Sequence, residues 1–157
     1  MPVTVGVNFM SVVHSASNGV APSFPDVCKT PAPPAPPIPI PYPNIAMSSD
    51  TDQGSKKVKC DGNPVCLQNS NFKMSTGDEA GALGGVVSGK IKGKAEFVNF
   101  SFDVQFEGKN VARALDLMLH NDKNTPPMPL IQPPVIAIMI SNIQAEKPKC
   151  LICDEEL

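Results

Sequence analysis

The sequence predicts a mainly β fold in which short hairpins make up one compact domain. Three observations support this prediction: alternating residues at 100–107, 18 prolines and 11 glycines among 157 residues, and turn signals between β-forming residues. Proline fixes φ and removes a backbone donor, so long helices are disfavoured. A chain of this length fits a single domain, since domains typically span about 100–200 residues.

Residues 31–43, with the sequence PAPPAPPIPIPYP, hold eight prolines. We expect them to form an extended polyproline II segment, on the reasoning that proline is excluded from helices and from sheet ladders alike. The segment is interpreted as a stiff strap along the surface of the domain. A PxxP ligand for an SH3-like aromatic groove is the alternative.

A hairpin is predicted around Asp61 and Gly62, because an Asp-Gly pair between β-forming residues is a strong hairpin signal. The same pattern of a valine, an acidic residue, a glycine and a second valine occurs at 58–65 and again at 104–111. The two copies suggest one structural unit used more than once. In the predicted register Cys60 pairs with Asn63, so Cys60 and Cys66 point to opposite sides and we expect no bond between them.

Residues 100–107 alternate between apolar and polar side chains, which predicts a half-buried strand with its four apolar residues on one face. Residues 110–120 are ambiguous. They fit an amphipathic helix with Val111, Leu115 and Met118 on one face, or the return strand of the second hairpin. The repeat favours the strand.

Charge and composition argue against two classes of partner. The formal net charge is −2 and 18% of residues are charged, so no basic face is expected and nucleic acid is a poor candidate partner. The N-terminus lacks the positive region of a signal peptide. The longest other apolar run, 135–140, is far short of the ~20 residues that span a bilayer, so we expect no stable membrane insertion.

The cysteines and histidines supply candidate metal ligands. Cys150 and Cys153 have the CxxC spacing with which two thiolates bind one zinc from a tight turn. Two further ligands would have to come from the other candidates, His14, His120 and Cys28. We therefore expect one structural zinc with ligands drawn from these five residues. Unliganded thiols and a thiol redox pair at the CxxC are the alternatives.

No catalytic constellation is evident, because a hydrolase needs a nucleophile, a base and an orienting acid, and neither histidine lies in such a motif. We expect a non-enzymatic protein that docks onto a larger assembly. Two other functions stay open: a small zinc- or thiol-dependent enzyme that uses Cys150 and Cys153, and an adaptor read through its polyproline segment.

Several segments together resemble the PAAR-like proteins of the type VI secretion system. The resemblance covers roughly residues 12–127 and is carried by FPDVCKTP at 24–31, PIPYPNIAMSSD at 39–50, STGDEAG at 75–81, FDVQFEG at 102–108 and LDLMLHN at 115–121. It implies a PAAR-like domain over residues 1–127, followed by a tail at 128–157 that contains the CxxC.

The resemblance implies a compact cone of β-hairpins that caps the trimeric VgrG spike, with one cap per trimer, and that often recruits effector or toxin proteins. Such a protein is cytoplasmic before firing and is then exported with the spike. A chain that stops at Leu157 suggests a stand-alone cap or adaptor. A single chain on a three-fold spike needs about three equivalent faces, whereas the sequence shows two copies of the repeat.

The resemblance also implies a zinc ion near the apex of the cone, bound by histidines and a cysteine. His120 matches the histidine of the family's His-Asn segment, and Cys28 matches the cysteine of its Asp-Val-Cys segment. Relatives often carry a second histidine two positions on, where this chain has Asp122. The CxxC of the tail is therefore a candidate source of the missing ligands.

Overall fold

The computed structural model describes residues 3–133 and confirms a mainly β fold. Its regular elements in that range are strands and one short 3-10 helix: β1 (Gly6–Val7), β2 (Met10–Ser11), β3 (Val20–Ala32), β4 (Ala35–Met47), η1 (Ser48–Asp50), β5 (Thr51–Asp52), β6 (Lys59–Cys60), β7 (Asn63–Pro64), β8 (Asn71–Phe72), β9 (Ser75–Thr76), β10 (Ala95–Phe97), β11 (Gln105–Phe106), β12 (Lys109–Asn110), β13 (Leu117–Leu119) and β14 (Met128–Pro129). No helix among these residues is long and apolar enough to cross a membrane.

Three short hairpins share one geometry. The pairs β1–β2, β6–β7 and β11–β12 are each joined by a two-residue turn. Both turn residues have positive φ in all three cases, with φ values of 51° and 65° at Asn8-Phe9, 51° and 79° at Asp61-Gly62, and 54° and 77° at Glu107-Gly108. Positive φ at both central positions is the type I′ geometry that matches the twist of a hairpin. The two predicted hairpins are confirmed, and a third lies at 5–12.

Backbone pairing joins the three hairpins into a closed ring. Each hairpin ends in a valine, and this valine pairs with a residue of a neighbouring repeat. The partner residue lies two positions after the valine that ends the neighbouring hairpin. The three bridges are Val12 with Arg113, Val65 with His14, and Val111 with Leu67. Each hairpin repeat therefore pairs once with each of the other two, so the chain has an approximate three-fold axis through this ring.

The turn after each hairpin repeats the same symmetry. In each turn, two residues that are three positions apart exchange two hydrogen bonds. The backbone N–H of the later residue donates to the carbonyl of the earlier residue, and the side chain of the later residue accepts the N–H of the earlier one. The equivalent pairs are Ser17 with His14, Ser70 with Leu67, and Asp116 with Arg113. Small polar side chains thus close each turn from within.

The core follows the axis of the ring. Val12, Val65 and Val111 are fully buried and belong to one hydrophobic cluster. The residues that follow them in the chain are also fully buried and belong to a second, larger cluster: Val13, Cys66 and Ala112. Equivalent positions of the three repeats therefore form stacked layers, so each repeat buries its apolar residues only when the other two are present.

Two larger sheets complete the fold. A five-stranded sheet runs in the order β14-β13-β10-β8-β5, and a three-stranded sheet runs β3-β4-β9. The strand interpretation of residues 110–120 is correct in part: no helix forms there, β12 ends at Asn110, Val111 and Arg113 form isolated bridges, and β13 spans Leu117–Leu119. Phe72 and Phe97 pack edge to face in the larger cluster, with ring centroids 5.7 Å apart.

The expectation that proline excludes residues 31–43 from a sheet is wrong. The segment is extended and mostly exposed, but from Ala35 onward it is strand β4, paired with β3. The N–H of Lys29 in β3 donates to Gly84, on the side away from β4, so the facing pair Lys29–Pro39 carries no ladder hydrogen bond. Prolines at every second position of β4 therefore occupy sites where no N–H is required.

The predicted strand over residues 100–107 is also wrong for most of its length, since only β11 is a strand there. Phe102 is 93% exposed, whereas Ser101 is fully buried. The Ser101 hydroxyl donates to Asn8 at 2.6 Å and accepts the N–H of Val104 at 3.1 Å. These bonds close a turn, so the alternation of apolar and polar residues does not correspond to two faces of a strand.

The described part of the predicted tail packs on the domain. β14 pairs with β13, Leu130 is fully buried, and Ile131 and Val20 exchange two backbone hydrogen bonds. Cys60 and Cys66 are both free, in agreement with the predicted register. The CxxC at Cys150 and Cys153 lies outside the described residues.

Replacement of Phe72 with alanine is expected to lower the free energy of unfolding by about 3–5 kcal/mol, because the side chain is fully buried. Phe102→Ala serves as the control and should change it by less than about 0.5 kcal/mol, since this ring is solvated. Urea unfolding of both variants measures the difference. Equal losses would show that residues 100–107 form the buried strand after all.

Candidate functional site

The three hairpins at 5–12, 58–65 and 104–111 group around the three-fold axis and form a surface that we call the three-hairpin face. A side chain at each turn reaches the segment that leads into a neighbouring hairpin. These polar links are Asn8 to Asp103 (3.0 Å), Asp61 to the N–H of Thr4 (3.1 Å), and Glu107 to the N–H of Lys57 (2.9 Å). The links follow the same cyclic order as the backbone bridges, so three contacts of one kind hold the ring together from outside the core.

Two exposed aromatic residues mark one corner of the three-hairpin face. Phe102 is 93% exposed and Phe9 is 82% exposed, the highest values among the large hydrophobic residues in the described part of the chain. Each is next in sequence to one partner of the link between Asn8 and Asp103. Two exposed aromatic residues that flank one polar link are candidates for a protein-binding surface.

A second candidate site is a buried cluster of Asp26, Cys28 and Asp78, whose ligand-type atoms all lie within 4.8 Å of one another. All three residues are fully buried. Asp26 and Cys28 are two positions apart in β3, so their side chains share one face of the strand. Asp78 comes from the loop after β9 and completes the group.

Asparagine side chains surround this cluster. The amide groups of Asn44, Asn121 and Asn124 all donate to the Asp26 carboxylate, at 2.6 Å for Asn44 and 3.3 Å for Asn121. Both oxygens of Asp78 accept the backbone N–H of Lys92, at 3.2 and 3.1 Å. Neutral donors thus satisfy the carboxylates in part, without a cationic side chain.

Burial and the two neighbouring carboxylates raise the pKa of the Cys28 thiol to about 12. Burial is also the main reason that the pKa of Asp78 is raised to about 6. Cys28 is therefore a protonated thiol at neutral pH unless a cation binds beside it, and a thiol in that state is a poor nucleophile. Two carboxylates and a thiol are a donor set that suits a metal ion better than covalent chemistry.

The two histidines lie in different surroundings. His14 uses both ring nitrogens: Nδ1 accepts the N–H of Ala16 at 3.1 Å, and Nε2 lies 3.3 Å from Asp61. His120 is fully buried, and neither ring nitrogen has a hydrogen-bond partner among the described residues. Burial lowers the pKa of His120 to about 4, so the ring is neutral at pH 7.

Of the ligands predicted from sequence, only Cys28 belongs to a group of three possible ligands within the described residues. His14 and His120 are not part of that group, and Cys150 and Cys153 lie outside the described part of the chain. Sequence reasoning missed Asp26, Asp78 and Asn44 as members of the site. A usable signal was present, because Asp26 and Cys28 have the spacing that places two side chains on one face of a strand.

Comparison with known families agrees with this architecture. The family described as Toxin PAAR-like domain matches residues 19–127. The chain belongs to this family. The matched PAAR-like region contains the buried cluster and two of the three hairpins, while the hairpin at 5–12 precedes it.

A curated relative of this PAAR-like chain is the DNase toxin Tse7 of Pseudomonas aeruginosa. The two are 44% identical over 129 residues, which is 78% of this chain and 33% of the relative. The chain therefore spans about a third of the length of that relative. No solved structure matches the chain.

Acid should weaken the three-hairpin face through Asp61. Hydrogen bonds from Thr4 and His14 lower the pKa of Asp61, with Thr4 as the larger cause. A carboxylate whose pKa is lower in the folded state stabilises the fold above its ordinary pKa, and this stabilisation is lost as pH falls through the folded value. Melting temperature measured from pH 7 downward should therefore fall less steeply in Asp61→Asn than in the unmodified chain.

Asp52→Asn is the matched control for that experiment, because Asp52 takes no part in the three links. Its melting temperature should follow the pH dependence of the unmodified chain. If Asp61→Asn and Asp52→Asn gave the same pH profile, the negative charge of Asp61 would contribute nothing to the stability of the ring.

Proposed function

We propose that this PAAR-like protein caps the end of the trimeric VgrG spike of a type VI secretion system, with one cap per trimer. The observation that carries the proposal is the closed ring of three equivalent hairpins. A trimer presents three identical surfaces around its axis, and a single chain matches all three only if it repeats its own surface three times. The three-hairpin face supplies that repetition through backbone bridges and polar links alike.

The contact surface in this proposal is the three-hairpin face, with Phe9 and Phe102 as apolar anchors at one corner. Exposed aromatic residues contribute strongly when an interface buries them. The three corners carry different side chains on similar backbones, so the frame keeps the symmetry of the spike while one corner supplies the aromatic anchors.

The protein acts as a structural part in this proposal and catalyses no reaction. The raised pKa of Cys28 speaks against a thiol enzyme that uses this residue. The relative named as a DNase toxin is about three times as long as the matched region, so we assign the activity in its name to the part that this chain does not match. Pairing of β4 with β3 speaks against an adaptor that offers a free polyproline helix.

Three further expectations belong to the same proposal. The protein is cytoplasmic until the spike is fired and leaves the cell with it. Effector or toxin proteins are recruited by surfaces away from the three-hairpin face, since that face is covered by the spike. A structural zinc stabilises the domain, in keeping with the general rule that metal binding adds to the stability of a small core.

Mixing the chain with its cognate VgrG trimer should yield a complex of one cap and one trimer, measured by mass photometry after co-purification. Phe9→Asn should weaken binding by more than about tenfold, since it removes an apolar anchor. Asparagine tolerates the positive φ of 65° at this position, so the variant is expected to fold.

Val87→Asn is the matched control, because Val87 is a 77% exposed apolar residue outside the three hairpins, in the glycine-rich loop whose backbone bonds to β3. It should bind the spike like the unmodified chain. Three caps per trimer, or no complex with the cognate spike, would contradict the proposed function.

A further inference from the structure

One turn residue of the three-hairpin face breaks a rule that the other two hairpins follow. Phe9 is the second turn residue of the first hairpin, with a φ of 65°, and the same position is Gly62 or Gly108 in the others, with φ values of 79° and 77°. A Cβ atom placed on either glycine would meet no heavy atom within 4 Å beyond its chain neighbours. Glycine is therefore needed there for its backbone conformation, and a bulky side chain at this φ is strained.

The fold itself gains little from the ring of Phe9. The residue is 82% exposed, so its ring buries little apolar surface against the domain. A strained residue persists only where the surrounding structure holds it in place, and such residues are concentrated at binding and catalytic sites. Strain at an exposed aromatic residue therefore indicates a contact with a partner.

The residue before Phe9 is held by three side chains of the third repeat. The amide oxygen of Asn8 accepts the Ser101 hydroxyl at 2.6 Å and the Arg113 guanidinium at 2.9 Å. Its amide nitrogen donates to Asp103 at 3.0 Å. The carboxylate of the buried Asp116 accepts two bonds from the Arg113 guanidinium, at 3.0 and 3.2 Å, and so fixes its position. These bonds hold the start of the turn that carries Phe9.

The two turns that contain glycine are held by fewer side chains. Asp61, which corresponds to Asn8 in the second hairpin, bonds to the side chains of Thr4 and His14. Glu107, which corresponds to it in the third hairpin, accepts two backbone N–H groups, those of residues 56–57. Within the described part of the chain, three side chains thus hold the first turn, two hold the second and none holds the third. The largest set of side-chain bonds lies at the turn whose conformation is strained.

We propose that Phe9 is a strained contact residue for an apolar pocket on the VgrG spike and that Arg113 is its positioning residue, acting through Asn8. This inference rests on the proposed function and adds that the contact is kept at a cost in stability. Asp103 follows Phe102 in the chain, so the same polar bonds fix both exposed aromatic residues before the partner binds. An anchor that is already held in its bound position loses less conformational freedom on docking.

Replacement of Phe9 with glycine should raise the melting temperature by about 2–4 °C, because the strain is removed and little buried surface is lost. The reverse substitution, Gly108→Phe, should lower it by a similar amount, since it creates the strain at a turn that no side chain holds. Differential scanning calorimetry measures both shifts. An unchanged or lower melting temperature in Phe9→Gly, or an unchanged one in Gly108→Phe, would overturn the inference, because this turn position would then impose no strain.

Phe9→Gly should also weaken binding to the cognate VgrG trimer by more than about tenfold, although its fold is more stable. Biolayer interferometry with the immobilised trimer measures the affinity. If the unmodified chain forms no complex, the proposed function fails and the binding role of Phe9 fails with it. If the complex forms and Phe9→Gly binds as tightly as the unmodified chain, this inference alone is overturned.

Arg113→Leu tests the positioning role, because leucine stands at the equivalent position of the second repeat, Leu67. It should weaken spike binding by about three- to tenfold in the otherwise unmodified chain and leave the affinity of Phe9→Gly unchanged, since both residues act on one contact. Equal losses in the two backgrounds would show a purely structural role and overturn the assignment. If Arg113→Leu does not fold, Asn8→Gly should show the same dependence on Phe9, because glycine accepts the φ of 51° at this position.

Discussion

The structure depends on the closure of one ring of backbone pairs around a three-fold axis. Val12, Val65 and Val111 each pair with a neighbouring repeat, and all three are fully buried. None of the repeats can bury its valine alone, because each supplies only one wall of the core. A hairpin of two short strands is only marginally stable by itself in water, so ring closure and core burial have to occur together.

The long insertions between the hairpins are not bound by this symmetry. The β3–β4 hairpin follows the first repeat, and the glycine-rich loops follow the second, so the asymmetric part of the chain is built between members of a symmetric ring. In the proposed function the three-hairpin face is the frame for a symmetric partner, while the buried cluster at Asp26, Cys28 and Asp78 brings together two of the asymmetric segments, β3 and the loop after β9. The proposed docking surface and this buried cluster therefore lie in separate parts of the fold.

The hairpins with acidic-Gly turns could be predicted because glycine at positive φ is a local signal that needs no tertiary context. The hairpin at Asn8-Phe9 was missed, since phenylalanine at a φ of 65° is unusual and is imposed by the ring. The half-buried strand predicted over residues 100–107 was wrong because the buried residue there is Ser101, whose hydroxyl closes a turn. At the site, Cys28 was predicted, whereas Asp78 reaches it through a loop whose path the sequence pattern does not reveal.

Site-specific photo-crosslinking to the spike tests the central claim, that the three hairpins of one chain make equivalent contacts with the three subunits of a trimeric partner. Gly6, Lys59 and Gln105 begin the first strands of the three hairpins and are all exposed. A photoreactive residue introduced at each position in turn should crosslink to the same segment of the VgrG subunit, because the approximate axis of the cap coincides with the true axis of the trimer. Crosslinks from a single position, or to unrelated segments of the spike, would contradict the account.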